Sequence, residues 1–390
     1  MTRRYRLGIV VQEVLGWASL LGTFRHSIED DTELDQTWIP ISYASEGGWV
    51  ERLPGLGERR RGALRATAAI ARSLASQRYD AILFNATWLA VMAAPWTSRT
   101  TTAILTDVTP RQYDREARFF AGQVADGRGP LARAKHAINR RVLRSTSLHF
   151  PASEWTRRSL VEEYAVDPRR THIIPFGVEL EIWRPRRGDR SALPRVLFVG
   201  GDFHRKGGDL LLDWFRARGR GRCELSLVSA DPAVRDLREP GIYVHANLKP
   251  HSDELRRLFW GSDVLCLPSR SEPFGLAAVE GHAAGLPVVT SDAGGLAEIV
   301  DDGRSGFRVP AGDGAALGAA LDRLIDSPGL RHSMGIEARR RAEAYFDAAS
   351  TFPAMIELLK RRADLRRAEA PGAETGDGLS ADLDRARSVL

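Results

Sequence analysis

Short apolar runs alternate with longer stretches of helical period along the first half of the chain. Residues 6–11, 38–41, 81–85, 102–105 and 148–151 are too short for buried helices and read as strands. Between them lie segments such as residues 59–76, whose apolar positions recur at helical spacing. Strict alternation of this kind predicts a parallel sheet covered by helices on both faces. A second alternating series opens with a strand at residues 195–200. It continues through strands at residues 224–229, 242–245, 264–268, 287–291 and 306–309. Between the two series, residues 182–194 (IWRPRRGDRSALP) are rich in Pro, Arg and Gly, which places a domain boundary there, with residues 1–187 on one side and 188–349 on the other. The expected fold class is α/β: two doubly wound, Rossmann-like units facing each other across a cleft, with the ligand at the carboxyl ends of the strands.

A length of 390 residues agrees with two domains. No apolar run approaches the ~18 residues needed to cross a bilayer. The short apolar stretch after the basic start leads into a strand pattern, so no cleaved signal is expected and a cytoplasmic location follows. Cys223 and Cys266 sit in strand-like segments without metal-ligand spacing and are expected as buried, reduced thiols. Residues 363–390 are short of large apolar side chains and are expected to be disordered.

The net charge of +6 is unevenly spread. Residues 131–144 carry Arg133, Lys135, Arg140, Arg141 and Arg144 without an acid, while Leu131, Ala134, Ile138 and Val142 recur at helical spacing. Two readings stay open for this basic amphipathic helix. Its apolar stripe packs on its own domain, or it meets anionic lipid or a lipid-linked acceptor, giving peripheral contact with the inner face of a membrane.

The densest chemistry lies in residues 268–309, PSRSEPFGLAAVEGHAAGLPVVTSDAGGLAEIVDDGRSGFRV. A strand leads to a loop with Glu272; Gly275 and Leu276 then open a helix that carries Glu280, and a Gly294-Gly295 turn follows the next strand. Backbone N–H groups at a helix start, approached closely at a glycine, suit a diphosphate without help from a metal. Two carboxylates one nucleotide-sugar length apart suit sugar and ribose hydroxyls, because polyols donate and carboxylates accept.

The run SEPFGLAAVEGHAAGLPVVTSDAGGLAEIVDDGRSGF resembles the donor-site signature of glycosyltransferase family 4, retaining enzymes of GT-B fold that use nucleotide-activated sugars. Glu272 and Glu280 match the two glutamates of that signature. The resemblance implies that Glu272 lies near the donor sugar and that Phe274, Gly275 and Leu276 supply main-chain contacts to sugar and diphosphate. It implies that Glu280 holds the ribose. VLFVGGDFHRKGGDLLL, residues 196–212, resembles the family's strand, glycine loop and basic pair, which puts Gly200 and Gly201 against the donor and Arg205 and Lys206 on its diphosphate. Many relatives carry an arginine directly after the glycine of this strand, where this chain has Gly201. The cations fit the chemistry, since a leaving diphosphate gains charge as the glycosidic bond breaks.

The resemblance is fainter in the first half. Residues 153–185 resemble the segment that closes the first domain. In TDVTP, Asp107 stands where many relatives carry a histidine near the reacting sugar, so it either contacts donor or acceptor or simply caps a helix. The stretch from Gly16 to Gly22 takes the place of the family's glycine loop after the first strand. As in GT-B enzymes, the last helix, around residues 350–362, is expected to return to the first domain. His282 is expected as a packed residue, and His204 could touch phosphate. No histidine and acid cluster has metal-ligand spacing, so neither a metal nor another cofactor is expected.

The expected function is transfer of a sugar from a nucleoside diphosphate sugar to an acceptor hydroxyl, with retention, in cell-envelope polysaccharide or glycolipid synthesis. The acceptor would be a sugar or a lipid-linked sugar, and no nucleic-acid partner is expected. A nucleotide-sugar isomerase of the same architecture and a non-catalytic sugar-nucleotide or nucleic-acid binding protein are the alternatives. A dinucleotide dehydrogenase is disfavoured, because neither series begins with a G-x-G-x-x-G turn.

Overall fold

A computed structural model describes residues 4–12, 16–41, 57–97, 100–116, 119, 129–185 and 192–369. The chain forms two compact units, Met1–Ile174 with Phe352–Leu390, and Pro175–Thr351.

In the first unit, strands β1 (Tyr5–Gln12), β2 (Leu34–Ile41), β3 (Ala81–Phe84), β4 (Thr101–Thr106) and β5 (Leu148–Pro151) pair in parallel in the order β2-β1-β3-β4-β5. Helices α1 (Gly16–Ile28), α2 (Glu58–Ser76), α3 (Thr87–Thr97), α4 (Pro110–Arg115), α5 (Pro130–Ser145) and α6 (Glu154–Tyr164) connect them. The core joins Val10, Ile82, Phe84 and Ile104 of the sheet to Ile70, Leu89, Leu143 and Leu160 of the helices. Such burial is the main stabilising term, at about 25 cal/mol per Å² of apolar surface removed from water.

Three expectations for this unit change. The Gly16 to Gly22 stretch is no glycine loop, because it lies within α1. Leu20, Leu21, Phe24 and Ile28 are buried along that helix, and this apolar face outweighs the helix-weakening effect of two glycines. Asp107 is not the N-cap of α4: Thr109 is, its hydroxyl accepting from the N–H of Gln112 while the Gln112 side chain accepts from the N–H of Thr109. Of the apolar stripe of the basic helix, Val142 alone packs against the domain core, and Leu131, Ala134 and Ile138 do not. Leu131 is 84% and Ile138 54% exposed, whereas Asn139 and Leu143 are the buried positions of α5.

The second unit holds β6 (Arg195–Val199), β7 (Glu224–Val228), β8 (Ile242–His245), β9 (Val264–Leu267), β10 (Val288–Ser291) and β11 (Gly306–Val309), parallel in the order β11-β10-β9-β6-β7-β8. Its helices are α7 (Gly208–Trp214), α8 (Asp253–Trp260), α9 (Leu276–Ala283), α10 (Gly314–Asp326) and α11 (Pro328–Tyr345). The strands read as continuous apolar runs because helices cover both faces; Val196, Leu197, Phe198, Val264, Leu265 and Cys266 are all fully buried. Burial pushes the Cys223 thiol up to about 12 and raises Cys266 as well, so both stay protonated and inert.

The units divide at Ile174/Pro175, ahead of the Pro-rich segment that marked the expected boundary. Residues 175–185 belong to the second unit by their packing. Phe176 meets Phe274 at 5.0 Å between ring centroids, Trp183 meets Phe259 at 4.9 Å, and the N–H of Val178 donates to the carbonyl of Phe346. The expected boundary itself, at 187/188, lies outside the described residues.

Helix α12 (Ala348–Ala368) begins in the second unit and continues through the first. Phe352 packs on Phe24 at 5.0 Å, and Lys360 donates to Asp31, Glu33 and Glu357 at 2.8 to 2.9 Å. The helix also extends past the start of the expected tail, burying Ala363 and Leu365, because those two apolar residues continue the stripe of Ile356 and Leu359. The rest of that tail, from residue 370, lies outside the described residues.

Candidate functional site

In the second unit, chain order reverses direction across the sheet between β6 and its neighbour β9, and open α/β sheets bind ligands beyond the carboxyl ends at such a point. Two loops emerge there, residues 200–207 after β6 and 268–275 after β9. They are stitched together: the N–H of Arg270 donates to the carbonyl of Arg205, and the Arg205 guanidinium donates to the carbonyl of Ser271, both at 2.8 Å.

The basic pair converges on the loop glutamate. Lys206 Nζ lies 3.1 Å and Arg205 Nη1 3.6 Å from a Glu272 carboxylate oxygen, and all three side chains are less than one-fifth exposed. Asp202 orients Arg205, accepting from its N–H at 3.0 Å and its Nε at 3.1 Å. Gly200 is required by Lys206, whose Cδ would lie 2.5 Å from any Cβ at position 200. Around Gly201 a Cβ would meet nothing within 4 Å, so that side of the turn is open to an approaching group.

Gly275 caps α9 in a left-handed conformation, φ +102, that disfavours other residues. The first turn contains no acid, and the N–H groups of Leu276 and Ala277 have no intrahelical acceptor, so the helix start attracts an anion. The ring of Phe274, just before this turn, is buried between Phe176 and Phe346. Glu280, on the same helix, is 8% exposed, and burial pushes its pKa up to about 8 against the opposing pull of Lys206. An uncharged carboxyl group therefore waits inside the unit.

The conformation of the Glu272 loop is set from the next strand. Gly294 turns at φ +55 with its Cα against the carbonyl of Glu272, where a Cβ would lie 2.3 Å from that oxygen, and the N–H of Gly295 donates to the carbonyl of Pro273. Two groups inside the PSRSEP motif carried no assignment from sequence. The buried hydroxyls of Ser269 and Ser271 have no hydrogen-bond partner among the described residues. Arg270 joins the two loops. His282 is buried with its pKa driven down to about 3 by that burial, a packed residue. His204 places Nδ1 3.2 Å from Asp209.

Arg205, Lys206, Glu272, Gly275 and Glu280 thus belong to one unit, whereas Asp107 and Gly16 belong to the other. Asp107 follows β4, and its carbonyl accepts from the hydroxyl of Thr156 at 2.5 Å. The order of the first sheet reverses between β1 and β3. At their carboxyl ends Asn85 exchanges two hydrogen bonds with the backbone of Gln12, and the Trp88 indole donates to the Gln12 side chain at 3.0 Å. This polar cluster was not foreseen, because single polar residues at strand ends carry no distinguishing pattern.

Residues 193–327 match the family model described as glycosyl transferases group 1, and residues 24–177 match the glycosyl transferase 4-like domain. The chain is 33% identical over 248 residues to MMP alpha-(1->4)-mannosyltransferase of Mycolicibacterium hassiacum, covering 61% of this chain and 60% of that one. It is 32% identical over 256 residues to D-inositol 3-phosphate glycosyltransferase of Thermomonospora curvata, covering 55% and 57%. The matched region spans about 60% of the length of these curated relatives. Among solved structures, sucrose-phosphate synthase from Thermosynechococcus elongatus superposes with a TM-score of 0.73 at 17% identity, covering 92% of this chain and 99% of the other. Anabaena HepE in complex with UDP and glucose gives 0.66 at 15% identity, covering 92% and 100%. With a glycosyltransferase model matched in each half and this fold throughout, the chain belongs to glycosyltransferase family 4, the glycosyl transferases of group 1, on the GT-B fold.

Proposed function

We propose that the chain is a retaining glycosyltransferase that moves a sugar from a nucleoside diphosphate sugar to an acceptor hydroxyl. The convergence of Arg205 and Lys206 on Glu272, beside the anion-attracting start of α9, carries this reading. In the proposed complex the diphosphate takes over the two cations, which frees the Glu272 carboxylate to accept from sugar hydroxyls. The N–H groups after Gly275 meet the phosphates, and Glu280 accepts from the ribose. The glycosidic bond to the diphosphate breaks while the acceptor oxygen bonds to the anomeric carbon on the same face. The acceptor proton passes to the departing phosphate oxygen. Arg205 and Lys206 stabilise the charge that develops on that leaving group. Because side-chain cations and a helix start supply the positive charge, the reaction needs no metal, and turnover should survive EDTA.

The relatives named for mannosyl transfer and for inositol phosphate, and the HepE complexes with UDP and UDP-glucose, support a nucleotide-sugar donor and a polyol or sugar acceptor. The test is thermal stabilisation of the protein by a panel of nucleoside diphosphate sugars, followed by NMR of the product's anomeric configuration. A stabilising donor and a product of retained configuration are expected. No stabilisation by any donor, or inversion, would refute the reading.

A cell-envelope setting is part of the proposal. Leu131 and Ile138 stand exposed on a helix whose Arg133, Lys135, Arg140, Arg141 and Arg144 are also exposed, a combination suited to an anionic bilayer surface. One of these cations is partly engaged, Lys135 meeting Asp114 at 2.7 Å. No helix of the described residues is long and apolar enough to cross a membrane. Co-sedimentation with phosphatidylglycerol vesicles, weakened by salt and abolished by Leu131→Glu with Ile138→Glu, is the expected result. Binding unaffected by that double substitution would refute it.

A further inference from the structure

Arg205 and Lys206 sit on a turn, and a turn holds two cations in place only if something fixes it. The guanidinium of Arg270 reaches across from the other loop. Its Nη1 donates to the carbonyl of His204 and to Asp209 Oδ1, both at 2.6 Å, while its Nη2 donates to Asp209 Oδ2 at 2.8 Å. Asp209 stands in the first turn of α7, directly after the basic turn, and the main chain of Arg270 is itself bonded to Arg205. One planar fork therefore grips both ends of the segment that carries the cations. The Arg270 side chain is 19% exposed, and three of its donors are directed at protein acceptors.

We propose that Arg270 and Asp209 are positioning residues that hold the Arg205–Lys206 turn in register with the Glu272 loop, acting on sugar transfer only through those three side chains. The proposal rests on the donor-site reading above. A lysine keeps the charge but cannot reproduce three hydrogen bonds from one planar group, so Arg270→Lys should resemble Arg270→Ala rather than the native protein. Misplacement of a catalytic group by about 1 Å costs up to ~100-fold in rate. Removing the clamp is therefore expected to lower kcat by ~10- to 100-fold, with the larger share of the loss in kcat and not in donor KM.

The test combines kinetics with hydrogen exchange on the full chain. Arg270→Ala, Arg270→Lys and Asp209→Ala should each lower kcat, and the double variant of Arg270 and Asp209 should be no worse than either single. In a Lys206→Ala background, Arg270→Ala should cost several-fold less than it does in the native protein, because one of the three groups it positions is gone. Amides of residues 202–208 and 270–274 should exchange faster in Arg270→Ala, with the remaining second unit unchanged. A native kcat in Arg270→Lys, full additivity with Lys206→Ala, or unaltered exchange in both loops would overturn the proposal. A native protein that is stabilised by none of UDP, GDP and ADP, yet whose loops loosen as described in Arg270→Ala, would instead overturn the donor reading. A general loss of protection across the unit would mark Arg270 as a folding residue and also overturn the proposal.

Discussion

Lys206 Nζ lies 3.1 Å from the Glu272 carboxylate, so the cation proposed to meet the donor diphosphate is occupied by an internal anion. This pairing keeps a partly buried ammonium satisfied. In the proposed complex the diphosphate and Glu272 compete for this one charge, and the carboxylate would be released for the sugar as the diphosphate docks.

Lys206→Ala should therefore lower kcat by ~10² to 10³-fold, the usual scale for removing a group that stabilises developing charge. Steady-state kinetics with the stabilising donor would check it. A loss confined to donor KM would place Lys206 in ground-state binding alone.

The pH dependence of stability should carry the signature of Glu280. Its pKa is pushed up to about 8 from 4.5, so between those values the folded chain holds a proton there that the unfolded chain has lost. Stability from this group is complete below about 4.5 and declines as pH rises through about 8. His282, driven down to about 3 from 6.5, acts oppositely, adding stability as pH rises toward 6.5. The window from about 6.5 to about 8 thus isolates Glu280 from that histidine. Melting curves should show the decline there in the native protein and a flatter profile in Glu280→Gln. Identical profiles would count against the buried, protonated state.

Gly294→Ala should destabilise the protein and impair turnover together. Its φ of +55 disfavours a side chain by about 1 to 2 kcal/mol, and the added Cβ would press on the carbonyl of Glu272. Gly303→Ala is the control, with φ +76 but nothing within 4 Å of the added carbon. It should show the backbone cost alone in a urea melt and keep native kcat.

Lys360→Met should weaken the first unit by about 1 to 3 kcal/mol, since Asp31, Glu33 and Glu357 would lose a shared donor and repel one another. Burial acts to lower the Lys360 pKa, but the hydrogen bonds it donates to Asp31, Glu357 and Glu33 outweigh it, so the side chain stays charged. Denaturant unfolding followed at the first unit would measure the loss. An unchanged midpoint would show that Phe352 on Phe24 suffices to dock the helix.

The strands were legible in the sequence to within a few residues at their ends, because a buried parallel strand needs a short, continuous apolar run and little else. Several donor-site candidates were legible too. Glu272, Gly275 and Glu280 lie within one motif, and Arg205 and Lys206 follow a strand and glycine pair, so their spacing is local. What tertiary packing alone decided was of another kind. Helical period shows that Leu131 and Ile138 share a face, not that the buried positions are Asn139 and Leu143 instead. Proline and arginine mark a turn at residues 182–194 without saying which core claims Trp183. The convergence of Lys206 on Glu272, the grip of Arg270 on Asp209 and the burial of Glu280 all join atoms from separate segments. Local periodicity reports only the faces and lengths of elements. The partners across a loop, and hence the charges, depend on strand order and helix docking, which minimise exposed apolar surface over the whole unit.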